Sequence, residues 1–337
     1  MSEAAENAST MSALVHHGPS GLAGVSRAEV PVPRVGSGEV LVELHAAAFN
    51  HRDLFIVGQR GEDDPVLVLG SDGAGVVSAV GPDVTKVRLG DKVVVNPSLD
   101  WARADETPEV PQILGGPRHG TMARYVLVPA ENVEPKPVHL NWAEAAALPL
   151  AGLTAYRALF TRGHLGAGQH VLLPGIGSGV ATLALLVAKA AGAEVSVTSR
   201  SEAKRQRAIE LGASSALDTG TEWRAQLRRP VDLVVDGVGV AAFESCLSVL
   251  RAGGRMVTLG ATTGDQVAVS LRRLFFQQIS LVGTSMGSAE EFTAMLDFVA
   301  AHQLRPIVDH VYPFADAPTA LADLEQGDQF GKLVVSF

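Results

Sequence analysis

The sequence predicts an α/β protein with two unlike parts: a β-rich part, and a doubly wound parallel sheet with helices on both faces. Three observations predict it. The chain has 337 residues, which favours two cores over one. Its texture changes near Asn141, from short turn-bounded runs to helices alternating with apolar runs. Residues 169–204 place a strand, a glycine-rich turn, a helix and a second strand in immediate succession.

Taken in order, residues 1–11 have neither a basic region nor an apolar stretch. They read as a short disordered lead and not as a secretory signal, and Met11 offers a second start. From 12 to 137 the chain is rich in Gly, Pro and Val. Strands are expected over Ser12–Val15, Glu39–Ala46, Gly75–Val80, Asp91–Val95 and Arg124–Val128. Turn residues separate them, as in a barrel or sandwich, and Pro135 and Pro137 punctuate the end. Beyond Asn141 the expected strands are His170–Leu173, Glu194–Thr198, Ser215–Leu217, Val231–Asp236, Arg255–Leu259 and Ile279–Thr284. Six strands with helices between them imply the doubly wound sheet. A last helix over Glu290–His302 leads into VDHVYPF and a strand-like tail that is expected to return to the first part. The expected limits are therefore 12–138 with 307–337 for the β-rich domain, and 139–306 for the parallel sheet.

The strand His170–Leu173 runs into Gly175, Ile176, Gly177, Ser178 and Gly179, and a helix opens at Val180. Such a turn leaves unpaired N–H groups at a helix N-terminus, where the dipole favours an anion. This is the phosphate cradle of a dinucleotide fold. The following helix, to Ala191, is apolar nearly all round, as a helix buried on both sides must be. At the tip of the second strand an NAD site usually carries Asp or Glu. Here stand Ser199 and Arg200, with Lys204 one turn later. A hydroxyl, a guanidinium and an ammonium suit a 2′-phosphate, so NADP(H) is the expected cofactor. The alternative is a solvated basic helix start, since Arg205 and Arg207 follow.

Composition narrows the function classes. Hydrophobic residues make up 47% and charged residues 19%, so a large core is available and disorder is not expected. A net charge of −9 argues against nucleic acid or acidic membrane as partner, leaving a small-molecule substrate. No apolar run reaches the ~18 residues of a membrane span. The single Cys246 excludes an internal disulfide and suits a cytoplasmic protein, and its helical spacing with Phe243, Leu247 and Leu250 places it in a core. Among ten histidines none forms a tight ligand pair, and His16 and His17 point to opposite faces of one strand.

Longer motifs then carry a resemblance. NHRD (Asn50–Asp53), LGSDGAGVVSAVG (Leu69–Gly81), LGDKVVV (Leu89–Val95) and GTMARYVLVP (Gly120–Pro129) come first. AAALPLAGLTAYRAL (Ala145–Leu159), the glycine turn and GKLVVSF (Gly331–Phe337) follow in order. In these the chain resembles the medium-chain dehydrogenase/reductase superfamily, and within it the zinc-free, quinone oxidoreductase-like branch. The resemblance implies a GroES-like β-rich catalytic domain split around a Rossmann domain. Zinc-dependent members place Cys where Asn50 stands, His-Glu where Ser71-Asp72 stand and then another Cys or His around the ion, and they carry a four-cysteine lobe that Asn96–Gly115 lacks. A catalytic zinc needs three protein ligands, so no metal is expected.

By the same resemblance, Asn50 lies beside the nicotinamide ribose and the substrate. Asp53 is expected either in the site or as a buried organiser of its loop. Phe55 stands where many relatives have Tyr and makes the pocket more apolar. Thr154 is matched to a threonine near the nicotinamide. Val238-Gly239, Gly260-Ala261 and Thr284-Ser285-Met286 are matched to cofactor contacts at strand ends, and Lys332 to a lysine of the tail. Lys332 could equally be read as an ordinary surface lysine. The activity implied is metal-independent, NADPH-dependent reduction of quinones or α,β-unsaturated carbonyls, for which hydrogen-bond donors suffice to hold the developing oxyanion. Two other classes stay open: an alcohol dehydrogenase-type enzyme with an atypical metal site, and a cofactor-binding redox sensor with little catalysis. A homodimer joined through Ile279–Thr284 is also expected, since apolar sheet edges are normally covered.

Overall fold

A computed structural model describes residues 9–337. The expected lead over 1–11 is corrected at its end. Thr10 and Met11 belong to the strand Thr10–His16, which pairs antiparallel with Val25–Pro31. Met11 is buried there in a cluster with Ala13, Val15, Val68 and Ala123, an apolar home that a disordered lead would not have. The rest of the expected lead, residues 1–8, lies outside the described residues. Where the two histidines were expected to face apart, His16 is buried and His17 exposed.

The β-rich half is built on a seven-stranded sheet. Its centre is Glu39–Ala48, which pairs with Asp72–Val80 on one side and with Lys332–Ser336 from the chain end on the other. Val308–Pro313 lies outside that last strand, so both tail strands are part of this sheet. The inward residues Val40, Val42, Leu44, Val77, Val93 and Val95 alternate as a half-buried sheet requires, and fill one core.

The second half carries six parallel strands. In chain order they are His170–Leu173, Glu194–Ser199, Ser215–Asp218, Val231–Asp236, Leu250–Thr258 and Ser280–Gly283. Their order in the sheet is third, second, first, fourth, fifth, sixth. The strand order reverses between the first and fourth strands, and at that switch point the carboxyl ends open a crevice. The helix Gly179–Ala190 is buried over most of its surface. Cys246 is fully buried in the core beneath the fourth and fifth strands, where burial raises its thiol well above the usual range.

Three helices arise where the sequence pattern was weak: His51–Gln59, Leu271–Gln277 and Ala317–Gln326. The first starts at NHRD itself. The last packs Ala317, Ala320, Leu321 and Leu324 against the β-rich half within what read as a strand-like tail. A seam joins the halves. Arg157, paired within its own half with buried Glu291 at 2.6 Å, reaches across to the Ala104 carbonyl at 3.3 Å, and the N–H groups of Ala289 and Glu290 bond the carbonyls of Trp101 and Ala102. The parallel sheet ends on Ser280–Gly283. Beside it Leu271, Phe275 and Phe276 stand exposed on their helix.

Candidate active site

Strand register gathers the site. Ala48 pairs with Asp72 on one neighbouring strand and with Val334 on the other. Two residues beyond Ala48 comes Asn50, and two before Val334 comes Lys332, so both reach one spot beside Asp72. The Lys332 ammonium donates to Asn50 Oδ1 at 2.5 Å and to Asp72 Oδ2 at 2.8 Å. Asn50 Nδ2 donates to the same Asp72 oxygen at 2.8 Å. The other oxygen, Oδ1, accepts the backbone N–H of Leu150 at 2.7 Å. Asp72 is 0% and Lys332 3% exposed, so this is a buried charge pair with every carboxylate oxygen satisfied.

Around this core the neighbours are committed. Asp53 accepts the backbone N–H of Asn50 at 2.8 Å and closes a capping box at the start of the helix His51–Gln59. Its carboxyl is fully buried and burial pushes it up to about 6. Through this cap Asp53 organises the loop, and its other oxygen, Oδ1, is buried without a partner. Arg52 donates to Ser71 Oγ and to the carbonyls of Leu114 and Gly116, and Ser71 in turn donates to Leu114 at 2.7 Å. Phe55, expected as an apolar part of the pocket, has its ring 49% exposed and edge-on to His51. It can serve only as apolar wall.

By the resemblance, a zinc ion would be sought at Asn50 and at Ser71-Asp72, and these residues do not fit one. Ser71 is spent on a carbonyl and on Arg52. The outward oxygen of Asp72 is taken by an ammonium and an amide. Among the described residues no three His, Cys, Asp or Glu side chains gather as a ligand set.

The dinucleotide cradle lies next door. Gly175 and Gly177 adopt φ of +70° and +125°, which favour glycine. Ser178 caps the helix through Ala181 N–H at 3.2 Å. Gly175 and Ser178 are exposed, and Gly179 and Val180 partly so. A side chain at Gly179 would come within 2.6 Å of Lys332 Cδ, so the lysine stem runs directly over the cradle on its way to Asp72. The Ile176 side chain is in the core and its N–H bonds the Thr198 carbonyl, while the Gly175 N–H meets the Thr198 hydroxyl at 3.3 Å.

At the second strand's tip Arg200 is exposed. Lys204 donates to the Gly327 carbonyl at 2.8 Å, and its stem passes within 3.0 Å of the Cβ position at Gly177. Ser199 Oγ accepts the N–H of Ser201. Arg205 is taken by the Ser199 carbonyl and Asp218. Val238 meets Gly175, and Gly239 lies against Ala261 and close to Gly264, with Gly260 over Gly237. The hydroxyls of Thr154 and Thr284 are buried with no partner. A buried hydroxyl without a partner is a group that a bound ligand can satisfy. Ser285 is exposed next to Thr284. The Met286 side chain, 4% exposed, packs against Trp101 and Leu150, so only its backbone is placed to meet a cofactor.

Arg52 was not singled out from the sequence, and Asp72 was read only as a position of the zinc site, not as the partner of Lys332. A lone carboxylate inside the apolar, glycine-rich LGSDGAGVV was the available signal, because a charge buried there must find a partner.

Comparison with known proteins follows this geometry. Residues 36–138 match the family described as alcohol dehydrogenase GroES-like domain, and 179–301 the family described as zinc-binding dehydrogenase. The chain is 36% identical to the zinc-type alcohol dehydrogenase-like protein YogA of Leptosphaeria maculans, over 91% of this chain and 92% of that one. It is 27% identical to the crotonyl-CoA carboxylase/reductase of Cereibacter sphaeroides, over 86% and 78%. A crystal structure of an NAD-dependent alcohol dehydrogenase superposes with a TM-score of 0.91 at 37% identity, covering 97% of this chain and 100% of that one.

Proposed function

The chain belongs to the medium-chain dehydrogenase/reductase superfamily, and from that premise we propose that it is an NADPH-dependent, metal-independent oxidoreductase that reduces quinones or α,β-unsaturated carbonyls. One observation carries the metal-independent reading. The positions that hold zinc in the zinc-binding members are an amide, a spent hydroxyl and a carboxylate already neutralised by Lys332. Alcohol oxidation needs a Lewis acid or a proton relay for its alkoxide, whereas reduction of a conjugated carbonyl moves charge onto an oxygen that N–H donors can hold.

Gly175, Gly177 and Gly179 would carry the pyrophosphate at the helix N-terminus, and the Thr154 and Thr284 hydroxyls would find their missing partners on the cofactor. When bound, the reduced nicotinamide supplies the hydride. Asn50 and Lys332 are the N–H donors of this site, and their geometry is fixed by Asp72 before any substrate arrives. Arg200 and Lys204 would take the 2′-phosphate, Arg200 being free to fork onto it. The crotonyl-CoA reductase among the relatives supports reduction of a conjugated double bond.

A second reading, an alcohol dehydrogenase with an atypical metal site, is favoured by the names of the zinc-type relative and of the NAD-dependent structure. One experiment separates the two. The purified protein is assayed with NADPH against a panel of quinones and enones, with and without EDTA, and its zinc is measured by elemental analysis. Turnover indifferent to EDTA in a zinc-free protein is the expected result. One zinc per chain, or alcohol oxidation lost on chelation, overturns it.

A further inference from the structure

We infer that Arg52 is a substrate-binding residue, and that the substrate it selects carries a carboxylate on an apolar, conjugated body. This rests on the proposed reduction of a conjugated carbonyl and adds to it the chemistry of the substrate's other end.

Of the polar side chains gathered here, Asn50, Asp53, Ser71, Asp72 and Lys332 are buried, and Arg52 is partly exposed. It is the one that a molecule arriving from solvent can touch. Its charge has no carboxylate in contact. Nη1 donates to Ser71 Oγ at 3.1 Å and to the Leu114 carbonyl at 3.0 Å, and Nη2 donates to the Gly116 carbonyl at 3.2 Å. All three acceptors are neutral. Asp72 gives its oxygens to Lys332, Asn50 and Leu150, and Asp53 caps Asn50, so both carboxylates act on the guanidinium only through space. Burial meanwhile works against the charge. A guanidinium offers five N–H donors, so three bonds leave two free, the Nε–H among them. The same three bonds hold its plane fixed before a ligand arrives. A fixed, partly desolvated fork with neutral neighbours is completed by an anion, and a carboxylate matches its geometry. Phe55 stands three positions on along the same helix, hence beside Arg52 on the helix surface, with its ring 49% exposed. An apolar body can lie on that ring while its carboxylate meets Arg52. Ser71 joins this arginine to the residue before Asp72, so the anion site adjoins the donors Asn50 and Lys332.

The test uses benzoylacrylate and benzoylacrylamide, which share one enone and differ in charge. Both are assayed with NADPH on the wild-type protein, Arg52→Gln and Arg52→Lys. The wild type is expected to take the acid with the lower KM. In Arg52→Gln the acid-to-amide ratio of kcat/KM should fall roughly 10- to 150-fold, the worth of one charged hydrogen-bonding partner, with the loss carried by KM. Arg52→Lys keeps the charge without the fork and should retain part of the preference. An arginine that only anchored the turn Leu114–Gly116 would weaken acid and amide alike in both variants. Equal KM for the two compounds in the wild type, or an equal loss for the two in Arg52→Gln, overturns the inference.

Calorimetry reads the same point without turnover and without a variant. The wild-type protein, saturated with NADP+, is titrated with the reduced acid, benzoylpropionate, and with its amide. The acid is expected to bind more tightly, and equal binding overturns the inference even if neither Arg52 variant folds. Failure of the proposed reduction looks different: no hydride reaches either enone, or turnover is lost on chelation, while the acid still binds more tightly than the amide.

Discussion

Removing the Lys332 charge is the perturbation whose size the structure fixes best. The ammonium is 2.8 Å from Asp72 Oδ2, and the side chains are 3% and 0% exposed. At an effective dielectric constant of ~20, opposite charges at that distance attract by about 6 kcal/mol before desolvation is subtracted. Desolvation of both groups takes back much of this, so the intact pair adds little net stability. Breaking it is different. Lys332→Met leaves the Asp72 carboxylate buried with two neutral donors, Leu150 N–H and Asn50 Nδ2, and no cation in bonding contact, the Arg52 guanidinium acting only from further off. Such a loss costs about 3–5 kcal/mol. For domains of this size that lowers the melting temperature by on the order of 10 °C. Lys332→Met combined with Asp72→Asn removes both charges and should regain most of the loss, because no uncompensated carboxylate remains. The assay is a four-member thermal-melt cycle by circular dichroism at neutral pH, repeated in 1 M salt, which should change the coupling little because a buried pair is poorly screened. A single variant melting within ~2 °C of wild type, or a double variant as unstable as the single, refutes the reasoning.

Three further outcomes are expected. Arg200→Ala should weaken NADPH binding roughly 10- to 150-fold, the value of one charged hydrogen-bonding partner, and leave NADH nearly unchanged. Fluorescence titration with both cofactors checks this, and equal weakening of the two defeats the 2′-phosphate assignment. Asp53 is raised from 3.8 to about 6, so its contribution to stability is present in full below about pH 4 and is lost as pH rises through about 6. The difference in stability between wild type and Asp53→Asn should therefore move by up to about 3 kcal/mol across that window, and a flat difference in urea unfolding from pH 4 to pH 7 contradicts it. The uncovered edge Ser280–Gly283 and the exposed Phe275 and Phe276 should be buried in a dimer, so light scattering should give twice the chain mass and Phe276→Asp should halve it. A wild-type monomer at micromolar concentration refutes this.

The sequence by itself determined the elements whose signal is local. The run from His170 through GIGSG into an apolar helix could be read because strand, turn and helix are consecutive, and phosphate binding by such a turn needs no distant residue. The inner strands of the parallel sheet, His170–Leu173, Glu194–Ser199 and Val231–Asp236, were legible for the same reason, since a strand buried on both faces is a continuous apolar run. The helix Ala317–Gln326 was not legible. It is short, and its apolar face is defined only by the β-rich core it covers. The site divides along the same line. Asn50 and the zinc positions were visible as motifs, but Lys332 is 282 residues from Asn50 and 260 from Asp72, and only antiparallel register brings them together. No pattern of spacing encodes that. The tertiary structure decided which charge answers Asp72, because a buried carboxylate takes whatever cation the fold delivers within bonding distance, and here the fold delivers a lysine from the end of the chain.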